Sequence, residues 1–327
     1  MGLIVNGKWV DQWYDTDKSE GKFVRQDSRF RDQISTEENS HFKPEAGRYH
    51  LYVSLACPWA HRTIIFRKLK QLEDVISISI VEAKMMENGW EFGENGDPLY
   101  HLDYAYQLYL KADPTYQGRV TVPILWDKKT QTIVNNESGE IIRLFNSAFN
   151  ELTGNYDDYF PLAQREEIET VNTRIYDSLN NGVYNAGFAT TQAAYNDAYT
   201  SLFDSLDWLE ERLSKQRYLV GEKITEADWR LFTTLIRFDS VYHGHFKCNR
   251  QKLSEFHHIS NYVNELYQVP GVKETVDMEY IKIHYYASHI TINPTGVVPL
   301  GVIQHFDAPH DRDRQYQGIN HDQTLSL

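Results

Sequence analysis

A chain of 327 residues, 41% of them apolar, is long enough for two domains, each with a core of its own. Its formal net charge of −13 repels phosphate backbones and anionic lipid surfaces, so neither nucleic acid nor a membrane is an expected partner. No apolar run reaches the ~20 residues of a membrane span, and Met1 to Asp11 lacks the basic-then-apolar order of a signal peptide.

Residues 1–46 are polar and mixed, with rings at Trp9, Trp13, Tyr14, Phe23 and Phe30, and read as an irregular arm packed on a folded body. Tyr49 to Ser54 reads as a strand that ends at Cys57-Pro58, and a helix follows through Ile64, Ile65 and Leu69. Val75 to Val81 alternates serine with isoleucine and valine, a second strand; the β-α-β order implies parallel pairing and a right-handed crossover. The segment 82–118, with Gly89, Gly93, Gly96, Pro98 and Pro114, is too long for a plain connection and predicts a functional insertion or lid. Val120 to Trp126 reads as a third strand and Thr132 to Val134 as a fourth. Glu137 then opens a helix with Ile141, Ile142, Leu144, Phe145 and Phe149 on its apolar side.

Past Pro161 the periodicity is helical, as in Ile168, Val171, Ile175 and Leu179, and again from Tyr195 to Leu213. Thr225-Glu226-Ala227-Asp228 is a capping-box start, and Ile259, Tyr262, Val263 and Leu266 mark a further helix. The expected architecture is α/β plus all-α. A thioredoxin-like domain, a mixed sheet with helices, covers 47–150 with the insertion 82–118; a helical bundle covers 151–290, and a tail without regular structure covers 291–327.

The chain has only two cysteines, Cys57 and Cys248, far apart in sequence, which argues against a disulfide framework and for a reducing cytoplasm. Cys57 follows a strand and precedes Pro58, a residue favoured at the first helical position, so it falls at a helix N-cap. There the unpaired backbone N–H groups and the helix dipole favour a thiolate and lower the thiol pKa. Taken alone, a cysteine reads first as a small buried apolar residue; its place after a strand, before a proline and at a helix start reverses that reading. Ala60 stands where a resolving cysteine would be, so a mixed disulfide on Cys57 must be released by an external thiol.

Val122-Pro123 sits where a thioredoxin-type fold holds a cis proline beside its cysteine, and the Val122 backbone can pair with a peptide-like thiol. Glu137-Ser138 starts the next helix. Its N–H groups and the Ser138 hydroxyl suit a carboxylate, and Glu137 suits an α-ammonium; a plain N-cap is the simpler alternative.

With these residues in view, the chain resembles the glutathionyl-hydroquinone reductases, the xi class of the glutathione transferases. The most specific runs are Tyr49 to Arg62, Glu87-Asn88-Gly89-Trp90, Gly118-Arg119-Val120-Thr121-Val122-Pro123, Asn136-Glu137-Ser138 and Asn180-Asn181-Gly182-Val183-Tyr184. The resemblance implies glutathione as co-substrate, a cysteine nucleophile at Cys57 and no resident metal. It implies glutathione binding by Trp90, Arg119, Val120, Val122, Glu137 and Ser138. Tyr184 would be the acid/base, with Tyr242 and Tyr285 as hydroxyl donors to the Cys57 thiolate. Glutathionylated aromatic quinols would be the substrates and a homodimer the assembly. The stretch Glu91 to Leu99 is shorter than the family pattern, which bears on the pocket mouth.

Three other readings use the same residues. A general omega-like thiol transferase or dehydroascorbate reductase would use Cys57 without a quinol. A non-catalytic assembly module would have no use for Cys57, Glu137 or Ser138. His243, His245 and Cys248 have a spacing that could serve zinc, but no fourth ligand has matching spacing.

Overall fold

The structure, a computed structural model, describes residues 2–316; the end of the tail, residues 317–327, lies outside the described residues. In chain order the first half consists of β1 (Leu3–Val5), β2 (Lys8–Val10), β3 (Tyr49–Val53), α1 (Pro58–Leu69), β4 (Ile76–Ile80), α2 (Ala105–Ala112), β5 (Gly118–Arg119), β6 (Ile124–Asp127), β7 (Thr132–Asn135), α3 (Ser138–Ser147) and α4 (Asn150–Thr153). The main sheet has the order β4-β3-β6-β7, with β3 parallel to β4 and the other pairs antiparallel.

Every residue of β3 is buried, as a central strand covered on both faces requires. Its most polar side chain, His50, is answered by the serines of β4. Nδ1 lies 2.7 Å from Ser77 Oγ and Nε2 lies 2.8 Å from Ser79 Oγ. The Ser-Ile alternation of β4 thus matches a polar need of its neighbour.

Two sequence expectations change here. The arm is not wholly irregular: Asn6 and Gly7, at φ 50° and 72°, form the turn of the β1–β2 hairpin, and β1 also pairs with β5. Asn-Gly is the standard sequence for that left-handed two-residue turn. The third strand, expected over Val120 to Trp126, is shorter at its start: it begins only at Ile124, after the cis Val122-Pro123 peptide, while the two residues before Val120, Gly118–Arg119, join the hairpin sheet. Proline has no N–H for a ladder, so pairing starts beyond it.

The insertion 82–118 is a folded wall. Buried Asp97 accepts N–H bonds from Leu99, Tyr100 and Leu102 and a 2.8 Å bond from the Tyr52 hydroxyl of β3. The Glu91 to Leu99 stretch is thereby pinned to the sheet.

The second half holds α5 (Arg165–Ile175), α6 (Gly182–Gly187), α7 (Gln192–Lys215), α8 (Glu226–Leu235), α9 (His257–Tyr267), α10 (Met278–Ser288) and, against the expectation of a tail without regular structure, a short α11 (Arg312–Gln315) whose Arg312 is buried against Glu265. π-Helical turns follow α5 (Tyr176–Asn180) and α8 (Phe238–Tyr242), a feature common near functional sites. Helix α1 packs on α3 and α8 and buries polar His61, Arg62 and Thr63 along with its apolar residues. Two of those polar groups meet the helical domain: Arg62 Nη2 donates to Asn180 Oδ1 at 2.8 Å, and His61 Nε2 lies 2.8 Å from Thr275 Oγ1.

Candidate active site

Cys57 is the N-cap of α1, with Pro58 at the first helical position, as its sequence setting predicts. Its Sγ accepts from the Ala60 N–H at 3.5 Å and lies 3.5 Å from the Val122 carbonyl. The balance of forces on the thiol differs from the sequence expectation. Burial is the largest influence and pushes the Cys57 thiol above its ordinary value. The N–H groups of Ala60 and Trp59, then Arg237 and Arg25, pull it back down without overcoming burial.

Cys57 lines a small aromatic cavity of about 50 Å³ with Phe23, Trp59, Trp90, Tyr184, Phe188 and Tyr285. A larger polar cavity of about 440 Å³ shares Tyr14, Arg25, Trp59, Thr121 and Val122 with it, and adds Arg119, Asn136, Glu137 and Ser138. A flat apolar group and a polar peptide-like group can therefore lie side by side, with the sulfur at their seam.

The three tyrosines singled out in sequence converge. The hydroxyls of Tyr184 and Tyr285 are 2.6 Å apart, and those of Tyr285 and Tyr242 are 3.0 Å apart. Burial raises the Tyr184 phenol to about 12 and holds Tyr242 and Tyr285 well above their ordinary value, so all three are protonated at neutral pH. Among the described residues, none of the three hydroxyls bonds to Cys57 Sγ directly. Tyr242 is fully buried and lines neither cavity; it reaches the site through Tyr285.

Of the residues implied for glutathione, Arg119, Val122, Glu137 and Ser138 line the polar cavity and Trp90 the aromatic one, while buried Val120 lines neither. Glu137 caps α3, accepting from the Gly139 N–H at 3.2 Å and from Ser28 Oγ at 3.2 Å. The Arg119 guanidinium holds the arm, donating to the carbonyls of Gln12 and Trp13 and lying 4.1 Å over the Tyr14 ring. Two buried indole N–H groups, Trp59 Nε1 and Trp90 Nε1, have no hydrogen-bond partner among the described residues and lie on residues that line the cavities. Donors left over at such a place fit a ligand rich in carbonyl and carboxylate oxygens, as glutathione is.

The His243, His245 and Cys248 spacing does not make a zinc site. His245 Nε2 faces His289 Nδ1 at 3.1 Å, and buried Cys248 Sγ sits 3.7 Å from the Phe246 carbonyl. Among the described residues, no group of three or more His, Cys, Asp or Glu side chains is placed to hold a metal ion.

Comparison with known proteins decides the family. Residues 56–148 match the glutathione S-transferase N-terminal domain and residues 192–264 the glutathione S-transferase C-terminal domain. The chain is 51% identical over 327 residues to the glutathionyl-hydroquinone reductase YqjG of Escherichia coli (strain K12), covering 97% of this chain and 100% of that protein. It is 52% identical over 308 residues to the glutathionyl-hydroquinone reductase PcpF of Sphingobium chlorophenolicum, covering 93% and 97%. The chain belongs to the glutathionyl-hydroquinone reductase family of glutathione transferases. The glutathione-bound structure of YqjG superposes with a TM-score of 0.85 at 51% identity, over 88% of this chain and 97% of that one. The Xi class GST from Natrialba magadii gives 0.89 at 44% identity, over 96% and 97%.

Within this transferase, two site residues escaped the sequence reading. Arg25, in the arm, lines both cavities and lies 4.9 Å over Trp59 and 5.2 Å over Tyr184, with Nε bonded to Asn181 Oδ1 at 3.1 Å. Arg237 approaches the Cys57 turn from the helical domain, donating to the Leu55 and Ala56 carbonyls. Neither carries a local signal, since both reach the site through contacts distant in sequence.

Proposed function

We propose that this glutathione transferase reduces glutathionyl-hydroquinones to hydroquinones through a mixed disulfide on Cys57. The observation that carries the reading is the place of Cys57, in an aromatic cavity whose wall is shared with a polar cavity bearing Glu137 and Ser138. The Cys57 thiolate attacks the sulfur of the conjugate, and the bond between that sulfur and the ring carbon breaks. The electron pair stays on the ring carbon, which takes a proton from Tyr184. Hydroquinone leaves, and Cys57 is joined to glutathione. The thiolate of a second glutathione attacks the glutathione sulfur of that disulfide, giving oxidised glutathione and restoring the Cys57 thiolate.

Glu137 and the start of α3 would hold the γ-glutamyl end, and Trp90, Arg119 and Val122 the rest of the tripeptide. The cytoplasm as location and a homodimer as assembly belong to the same proposal; light scattering of the purified protein tests the second. The decisive experiment is mass spectrometry of Cys57 after exposure to glutathionyl-menadiol. A glutathione adduct that free glutathione removes is the expected result. Full turnover by Cys57→Ala would overturn the reading, and faster turnover on dehydroascorbate than on the aromatic conjugate would favour the omega-like alternative.

A further inference from the structure

Arg237 lies between α8 and the π-helical turn Phe238–Tyr242, and its side chain is fully buried. Its guanidinium meets four acceptors. Nε donates to the Ala56 carbonyl at 2.8 Å and Nη2 to the Leu55 carbonyl at 2.8 Å. Nη1 donates to the Thr233 carbonyl at 2.6 Å and lies 3.0 Å from His61 Nδ1. Leu55 and Ala56 immediately precede Cys57. A side chain of the helical domain therefore grips the strand-to-helix turn that presents the sulfur.

Arginine keeps its proton in a protein, so this is a permanent cation. Among the described residues, no carboxylate forms an ion pair with it. His61 offers no negative charge: burial and Arg237 hold it well below its ordinary value, and it is neutral. Carbonyl dipoles satisfy the donors but leave the net charge in place, and a buried charge without a counter-charge is costly.

The groups around Cys57 are Arg25 from the arm, Tyr184 from α6, His284 and Tyr285 from α10, and His289 after it, with Tyr280 of α10 also interacting. The phenols are protonated and the imidazoles neutral at pH 7, so they place no anion beside Arg237; burial raises the Cys57 thiol too, so its thiolate forms against that burial and depends on a cation close by. Arg25 is partly exposed and screened by solvent, whereas Arg237 is not.

We propose that Arg237 is a positioning residue for the reaction: it fixes the Leu55-Ala56-Cys57 turn and supplies the buried positive charge that the Cys57 thiolate answers. This rests on Cys57 being the nucleophile. The same charge serves both half-reactions. The thiolate is the attacking group in the first and the leaving group in the second, and a stabilised thiolate leaves faster.

The test compares Arg237→Gln and Arg237→Lys in the full chain, following alkylation of Cys57 by iodoacetamide across pH with turnover of glutathionyl-menadiol alongside. Arg237→Gln is expected to move the alkylation midpoint up by about one pH unit, an about tenfold loss of thiolate below the midpoint. Arg237→Lys is expected to keep the midpoint and lose about tenfold in kcat, because an ammonium lacks the planar fork that holds both carbonyls. An unmoved midpoint in folded Arg237→Gln overturns the proposal. Should that variant not fold, an unchanged kcat in Arg237→Lys overturns it instead. Full turnover by Cys57→Ala marks a different failure, that of the nucleophile itself.

Discussion

The hydroxyls of Tyr184 and Tyr285 lie 2.6 Å apart, and Tyr242 extends the chain 3.0 Å beyond Tyr285. Each hydroxyl has one proton, so a chain in which Tyr242 donates to Tyr285 and Tyr285 to Tyr184 leaves the Tyr184 proton for the cavity. Burial raises the Tyr184 phenol to about 12, which keeps this acid protonated through the neutral and mildly alkaline range. Tyr184→Phe is expected to lower kcat on glutathionyl-menadiol by about a hundredfold, and Tyr242→Phe by less. Reduction of a simple glutathione mixed disulfide, which needs no proton on carbon, should change little in Tyr184→Phe. An equal loss on both substrates would remove Tyr184 from the acid role.

Acid sensitivity follows from the buried imidazoles. His50, His245 and His284 are each held down to about 4, with burial the leading cause. The unfolded chain protonates histidine near about 6.5, so below that pH it binds protons that the folded state refuses. The stabilisation is complete above about pH 6.5 and is lost as pH falls through about 4, on the order of 3 kcal/mol for His50. Calorimetry should show a melting temperature that falls over that window. His50→Gln should flatten the fall while lowering the plateau, since it also disturbs the bonds to Ser77 and Ser79.

The seam between the domains depends on Glu226, whose carboxylate is almost fully buried. Arg143 of α3 meets it with two bonds of 2.9 Å and 2.7 Å, and Asn172 Nδ2 donates at 2.8 Å. Without Arg143 the buried carboxylate keeps only Asn172 and Arg230 Nη1, the latter at 3.4 Å, so Arg143→Met should cost about 2 kcal/mol in urea unfolding. Arg143→Met with Glu226→Met should cost less than the sum of the single changes. Strict additivity would mean that the pair is not coupled.

Local chemistry was legible in the sequence and distant chemistry was not. Cys57-Pro58 announced a helix start, Glu137 a second cap, and Thr225 with Asp228 a capping box, whose Thr225 N–H to Asp228 bond is 2.8 Å. Each rests on residues a few positions apart. The sign of the Cys57 shift was not legible, because it depends on rings from the arm, α6 and α10 that close over the sulfur. The meeting of Tyr184, Tyr242 and Tyr285 came from family resemblance alone, since no spacing brings three helical segments to one point. The Asn6-Gly7 hairpin was a readable signal that the polar composition of the arm obscured.

Arg25 offers a way to separate recognition of the ring from chemistry at the sulfur. Its guanidinium lies 4.9 Å over Trp59, 5.2 Å over Tyr184 and 5.4 Å over Phe23, at the wall common to both cavities. Cation–π contacts of this kind contribute roughly 0.5–2 kcal/mol each, so the residue holds the aromatic walls as well as carrying charge. Arg25→Gln is expected to reduce kcat/KM for glutathionyl-hydroquinones by about tenfold, a loss of about 1.4 kcal/mol in transition-state stabilisation. A glutathione mixed disulfide without a ring should be affected far less. Arg25→Lys should not restore the aromatic substrate, because an ammonium cannot stack as a planar guanidinium does. Paired kinetics on the two substrates decide the matter: an equal loss on both would place the action of Arg25 on Cys57 or on glutathione, away from the ring.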